Sequence, residues 1–143
     1  MARVLGLAVL ALTTLSGAAS AQENWLIGTW LTTQMDPRGV SNYAMASRFE
    51  PNGRLIIQMA VSGSGGSGMQ TFLATWRMTG PASYVAQIID YEPKQSCGAM
   101  GCITVPPTIP MGTTQNCSFQ PINQVAIAVS CDGQAPTQFT RQN

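Results

Sequence analysis

The sequence predicts an all-β protein, a single antiparallel up-and-down barrel of about eight short strands. Three observations carry this. Apolar and polar residues alternate with a period of two over short runs, as in Phe72, Ala74, Trp76 and Met78. Gly, Pro and Asn punctuate those runs at short, even intervals. No stretch beyond residue 21 has convincing helical periodicity. Closure into a barrel also removes open strand edges, a liability for a chain with only 9% charged residues.

The first strand is read as Trp25 to Thr33, which holds two of the three tryptophans. Gln34-Met35-Asp36-Pro37-Arg38-Gly39 is rich in turn formers. Tyr43, Met45, Ser47 and Phe49 share one face of the second strand. Pro51-Asn52-Gly53 is a hairpin signal, because Asn and Gly accept the positive φ such turns need. Leu55 to Val61 returns as the third strand, and Ser62 to Gly68 reads as a flexible connection. Met69 to Thr79 is the fourth strand, Gly80-Pro81 a turn, and Ser83 to Tyr91 the fifth strand. Glu92 to Gly112 reads as long and irregular. Thr114 to Phe119, a turn at Pro121-Ile122-Asn123, Val125 to Cys131, a turn at Asp132-Gly133 and Thr137 to Arg141 complete the set.

Residues 1–21 read as a signal peptide and 22–143 as one barrel domain. Arg3 supplies the positive start, Val4 to Leu15 the apolar run, and Ala19-Ser20-Ala21 the small-x-small cleavage pattern. The run is short for a membrane span, and the first cysteine is Cys97, so no lipid anchor is expected after cleavage. Without Arg3, six Lys and Arg face six Asp and Glu, a net charge of zero. The basic residues are scattered, so neither nucleic acid nor an anionic membrane surface is an expected partner. A monomeric periplasmic or extracellular protein is expected.

A resemblance rests on Gly28-Thr29-Trp30 in the first strand, Phe49-x-Pro51-Asn52-Gly53 at the first hairpin, Thr75-Trp76 before a Gly-Pro turn, and Phe139-Thr140-Arg141 in the last strand. This layout resembles the lipocalin-like (calycin) barrels, whose first strand carries Gly-x-Trp. The resemblance implies that Trp30 packs at the closed end of the barrel and that Arg141 lies across its indole. It also implies a binding role, although avidins and small bacterial protease inhibitors share the barrel with different functions.

Four cysteines in an exported chain favour disulfides. They allow three connectivities. Cys97–Cys102 around glycines, with Cys117–Cys131 flanking a hairpin, is favoured; a soft-metal site of Cys97, Met100 and Cys102 is the competing arrangement. The chain has no His, the commonest general base. Asp90 and Glu92 share a strand side but have no evident nucleophile or metal partner, so no enzyme, resident metal or cofactor is expected. Gly63, Gly65 and Gly68 match G-x-G-x-x-G, yet a strand-like run follows where a nucleotide site needs a helix. The expected function is an exported, non-enzymatic binding protein carrying a small apolar ligand, with Tyr43, Phe49, Phe72, Trp76 and Met78 as the pocket. The alternative is a protein-binding module, such as a periplasmic protease inhibitor, acting through loops or the N-terminus.

Overall fold

In a computed structural model, residues 25–35, 41–63 and 66–143 are described. The proposed signal peptide and most of the loop after the first strand lie outside these residues. Ten strands follow in chain order: β1 Gly28–Met35, β2 Ser41–Phe49, β3 Arg54–Gly63, β4 Gly66–Gly80, β5 Ser83–Glu92, β6 Gln95–Gly98, β7 Gly101–Thr104, β8 Thr114–Asn123, β9 Ala126–Cys131 and β10 Thr137–Gln142. Eight close into a barrel in the order β1-β10-β9-β8-β5-β4-β3-β2, every pairing antiparallel. The small hairpin β6–β7 is inserted between β5 and β8.

The alternation read from the sequence sets the inward face. Leu55 and Ile57 on β3, Phe72, Ala74 and Trp76 on β4, and Tyr84, Ala86 and Ile88 on β5 are all buried. A bulge opposite Leu73 and Ala74 makes Ala74 pair with Ile88 but Leu73 with Asp90. The extra residue, Ile89, is exposed. This one-residue slip returns Tyr91 to Phe72, with the rings stacked at 6.3 Å.

The base is the end carrying the β2–β3, β4–β5 and β8–β9 turns. At the first of these, Gly53 adopts φ +79°, and its carbonyl accepts the Trp76 amide at 2.8 Å. A Cβ there would also come within 3.2 Å of the Trp76 carbonyl oxygen, a tight contact that adds to the positive φ in favouring glycine. The Trp76 indole N–H in turn donates to the Glu50 carbonyl at 3.1 Å.

Several boundaries differ from the sequence reading, and β1 runs on through Gln34 and Met35, which read as loop. Trp25 and Leu26 form a helical turn ahead of β1 rather than its first residues. Ser62, Gly63 and Gly66 to Gly68 are strand, extending β3 and β4 as a paired arm. Pro121 lies within β8, and the turn comes after Asn123. Proline is accommodated because β5 pairs with β8 only as far as Ser83 opposite Ser118. A bulge between Pro121 and Asn123 absorbs the irregularity on the β9 side.

Candidate functional site

The base of the barrel is sealed. Gly28 opens β1 with φ +131°, which a side chain at that position would resist. That conformation brings the helical turn under the barrel. Trp30 and Leu26 are fully buried there, and the Trp30 indole N–H donates to the Leu26 carbonyl at 2.8 Å. The Trp25 ring lies 5.3 Å from Trp30 and is stacked at 6.5 Å on Phe119. Arg141 on β10 pairs with Trp30 on β1, and its guanidinium stands 4.8 Å from the Trp30 ring and 5.7 Å from the Trp25 ring. It also donates to the carbonyls of Trp25 and Ile27. Among the described residues its buried Nε has no hydrogen-bond partner, and the two indole faces supply much of its compensation. Trp30 and Arg141 thus stand together at the base, and Trp25 joins them.

Above this seal Phe49 meets Trp76 and Tyr84 edge-on, at 5.2 and 5.3 Å. Burial pushes the Tyr84 hydroxyl far above the usual phenol range. Toward the opposite end, the mouth, the packing opens into a cavity of about 190 Å³. Met45, Leu55, Ile57, Val129 and Phe139 give it apolar walls, and Ala86 leaves room on the β5 side. Tyr43, Tyr84, Ser47 and Gln115 bring polar groups to its surface, and Ile109 and Gln134 stand at its rim.

Of the five pocket residues expected from sequence, Tyr43 and Phe49 line this cavity. Phe72, Trp76 and Met78 are on the same inward side, but Phe72 and Trp76 are core and Met78 is half-buried against it. Phe72 is fully buried against Tyr91, and Trp76 is capped by the Phe49 ring. Alternation identifies the inward face but not the height along the axis. Larger side chains fill the β4 side, and the void is lined from β2, β3, β5, β9 and β10. Ala86 was the legible clue that sequence reasoning passed over: a small residue between Tyr84 and Ile88 on an inward face.

The cysteines form two disulfides, Cys97–Cys102 and Cys117–Cys131. The first joins β6 to β7 and the second β8 to β9, each at a paired position. Both sulfurs of Cys97 and Cys102 are thereby consumed, which corrects the soft-metal alternative. Glu92 to Gly112 is also more regular than expected. The Val105 amide donates to the Lys94 carbonyl at 2.9 Å, and the Tyr91 hydroxyl to the Val105 carbonyl at 3.1 Å. At the apex Met100 is fully exposed, and Ile103 is 69% exposed. Asp90 pairs with Lys94 at 2.8 Å. Hydrogen bonds from the Lys94 ammonium and the Tyr91 amide hold its carboxyl below the usual range.

No protein-family model matches the chain, and no curated protein matches it. Among solved structures, a de novo designed fluorescence-activating β-barrel is similar at 12% identity, over 84% of this chain and 96% of that one, with a TM-score of 0.43. That degree of likeness carries no functional argument.

Proposed function

We propose that this is an exported, non-enzymatic, lipocalin-like binding barrel that takes a small apolar ligand through its mouth. The observation that carries the reading is the cavity of about 190 Å³ above a sealed base. An apolar cavity of ~150 Å³ accepts benzene, whereas drug-sized ligands need ~300 Å³ or more. The ligand is therefore ring-sized, on the order of ten heavy atoms, and smaller than a fatty acid or a tetrapyrrole. Its apolar body would lie against Leu55, Ile57 and Val129, and one hydrogen-bonding group would reach the Tyr43 or Tyr84 hydroxyl. The two disulfides support an oxidising, extracytoplasmic setting.

Titration with 1-aminonaphthalene, followed by its fluorescence, tests this. Saturable one-to-one binding is expected. Ala86→Leu should fill the void and abolish binding while the melting temperature stays the same or rises. A folded protein that leaves the probe's emission unchanged would remove the carrier reading. The second reading, a protein-binding module acting through loops, is favoured by the disulfide-clipped β6–β7 hairpin, which presents Met100 and Ile103 to solvent.

A further inference from the structure

The chain that returns from β7 to β8 runs across the mouth of the barrel, and it is tied down at both ends. At Val105 the amide donates to the Lys94 carbonyl at 2.9 Å, and the carbonyl accepts from the Tyr91 hydroxyl at 3.1 Å. At the other end the Gly112 amide donates to the Ile88 carbonyl at 3.0 Å, and the Thr113 carbonyl accepts from the Ile88 amide at 3.0 Å. Pro106, Pro107 and Pro110 lie between these ties. Their fixed φ makes the span a stiff strap, which shifts as a unit rather than residue by residue.

Gln70 holds the middle of the strap. It is on the inward side of β4, two residues nearer the mouth than Phe72, and only 8% exposed. An inward position in an apolar barrel suits an apolar side chain, and a buried amide there needs partners. Gln70 finds them on the strap. Its Nε2 donates to the Pro106 carbonyl at 2.8 Å, and its Oε1 accepts from the Thr108 amide and hydroxyl at 2.9 and 2.8 Å. The next residue, Ile109, packs against the core at the rim of the interior cavity.

The strap also borders a second void, a mouth chamber of about 400 Å³. Met59, Gly68 and Gln70 wall it from the barrel, and Pro106 and Thr108 from the strap. The two voids are neighbours. Met45 lines the interior cavity, while Met59, its partner across the β2–β3 ladder, lines the chamber. On the strap, Ile109 faces the first and Thr108 the second. A segment with space on both sides is fixed by its hydrogen bonds more than by close packing.

We infer that residues 105–110 form a gate on the interior cavity and that Gln70 is its clasp. Breaking the Gln70 hydrogen bonds frees the strap to lift Ile109 from the rim, which joins the mouth chamber to the interior cavity. The clasp is built from neutral groups, so water can replace its bonds at small net cost. Among the described residues no charged side chain lines the chamber, so the route admits uncharged molecules and makes a charged one shed its hydration without compensation. Gln70 is thus a positioning residue: it sets the rate of passage, not the shape of the pocket. The inference rests on the carrier reading of that cavity.

A reporter thiol inside the cavity tests it. Ser47 is buried and lines the cavity, and Ser47→Cys is nearly isosteric. An open state populated at about 0.1–10% should let methyl methanethiosulfonate modify this thiol about ten- to a thousandfold more slowly than free cysteine. Gln70→Met keeps the length and removes the bonds, so modification should quicken about tenfold while the urea midpoint of the barrel changes little. Thr108→Val, at an exposed position, removes one bond and should quicken it about threefold; it decides the matter if Gln70→Met fails to fold. In stopped-flow binding of 1-aminonaphthalene, Gln70→Met should speed association and dissociation by the same factor and leave Kd within about twofold. A reporter that reacts as fast as free cysteine, folded variants with unchanged modification rates, or faster dissociation alone would each overturn the gate. Clasp-dependent modification without probe binding would support the gate and remove the carrier reading. Probe binding with modification indifferent to the clasp would do the reverse.

Discussion

Arg141→Ala is expected to destabilise the barrel by about 2–3 kcal/mol, more than a surface arginine should matter. The figure follows from what the guanidinium touches. Two indole faces, at 4.8 and 5.7 Å, contribute roughly 0.5–2 kcal/mol each when desolvated. Charged hydrogen bonds to the Trp25 and Ile27 carbonyls add about 1.5–3 kcal/mol together. Against these stands the cost of withdrawing the charge and leaving Nε without a partner. Trp30→Ala should cost about 3–5 kcal/mol through the cavity it opens. In that background Arg141 keeps Trp25 and the carbonyls, so Arg141→Ala should cost only about 1 kcal/mol, a coupling of about 1–2 kcal/mol. Urea unfolding followed by far-ultraviolet circular dichroism measures all four corners without relying on the removed indole. Additivity within about 0.5 kcal/mol would refute the stacked geometry. Arg141→Lys sharpens the test, because a point charge cannot span two rings and two carbonyls; it should recover less than half of the loss.

Removing Cys117–Cys131, which spans 14 residues, should cost about 3 kcal/mol, and removing Cys97–Cys102, which spans 5, about 2 kcal/mol by loop entropy; paired Cys→Ala variants unfolded in urea check the order. Tyr84 gives an alkaline limit. Its folded-state proton is held far above the unfolded value of about 10, so the stability it contributes is complete below pH 10 and is lost as pH rises beyond it. Tyr84→Phe should flatten that fall in a series of melts from pH 8 to 12. On the proposed export, the mature protein should begin at Gln22 without a lipid, and its intact mass checks this.

The barrel itself was legible because its code is local. Phe72, Ala74 and Trp76 alternate, Asn52-Gly53 turns, and Gly28-Thr29-Trp30 begins the ladder that closes it. Local signals falter where a residue's role depends on a distant partner. Pro121 reads as a turn until β5 is known to stop at Ser83. Gly68 reads as linker until the same residue is seen paired to Val61 on β3. The cavity was the least legible feature, since it depends on which inward side chains are small at one height. Phe72 and Ala86 carry the same inward signature in sequence, yet one fills the interior and the other leaves it open.

The seam between β1 and β10 also constrains the order of events in time. Its Arg141 to Trp25 hydrogen bond joins residues 116 positions apart, whereas every other pairing in the barrel joins nearer neighbours along the chain. Such a contact carries the largest loop-closure cost and gains least from partial structure, so it belongs to the end of folding. The β2–β5 meander can assemble and the β8–β9 staple can oxidise while β1 and β10 still expose open edges. The interval before the seam shuts is when this weakly charged chain is most exposed to misassociation, and Arg141 is the latch that ends it.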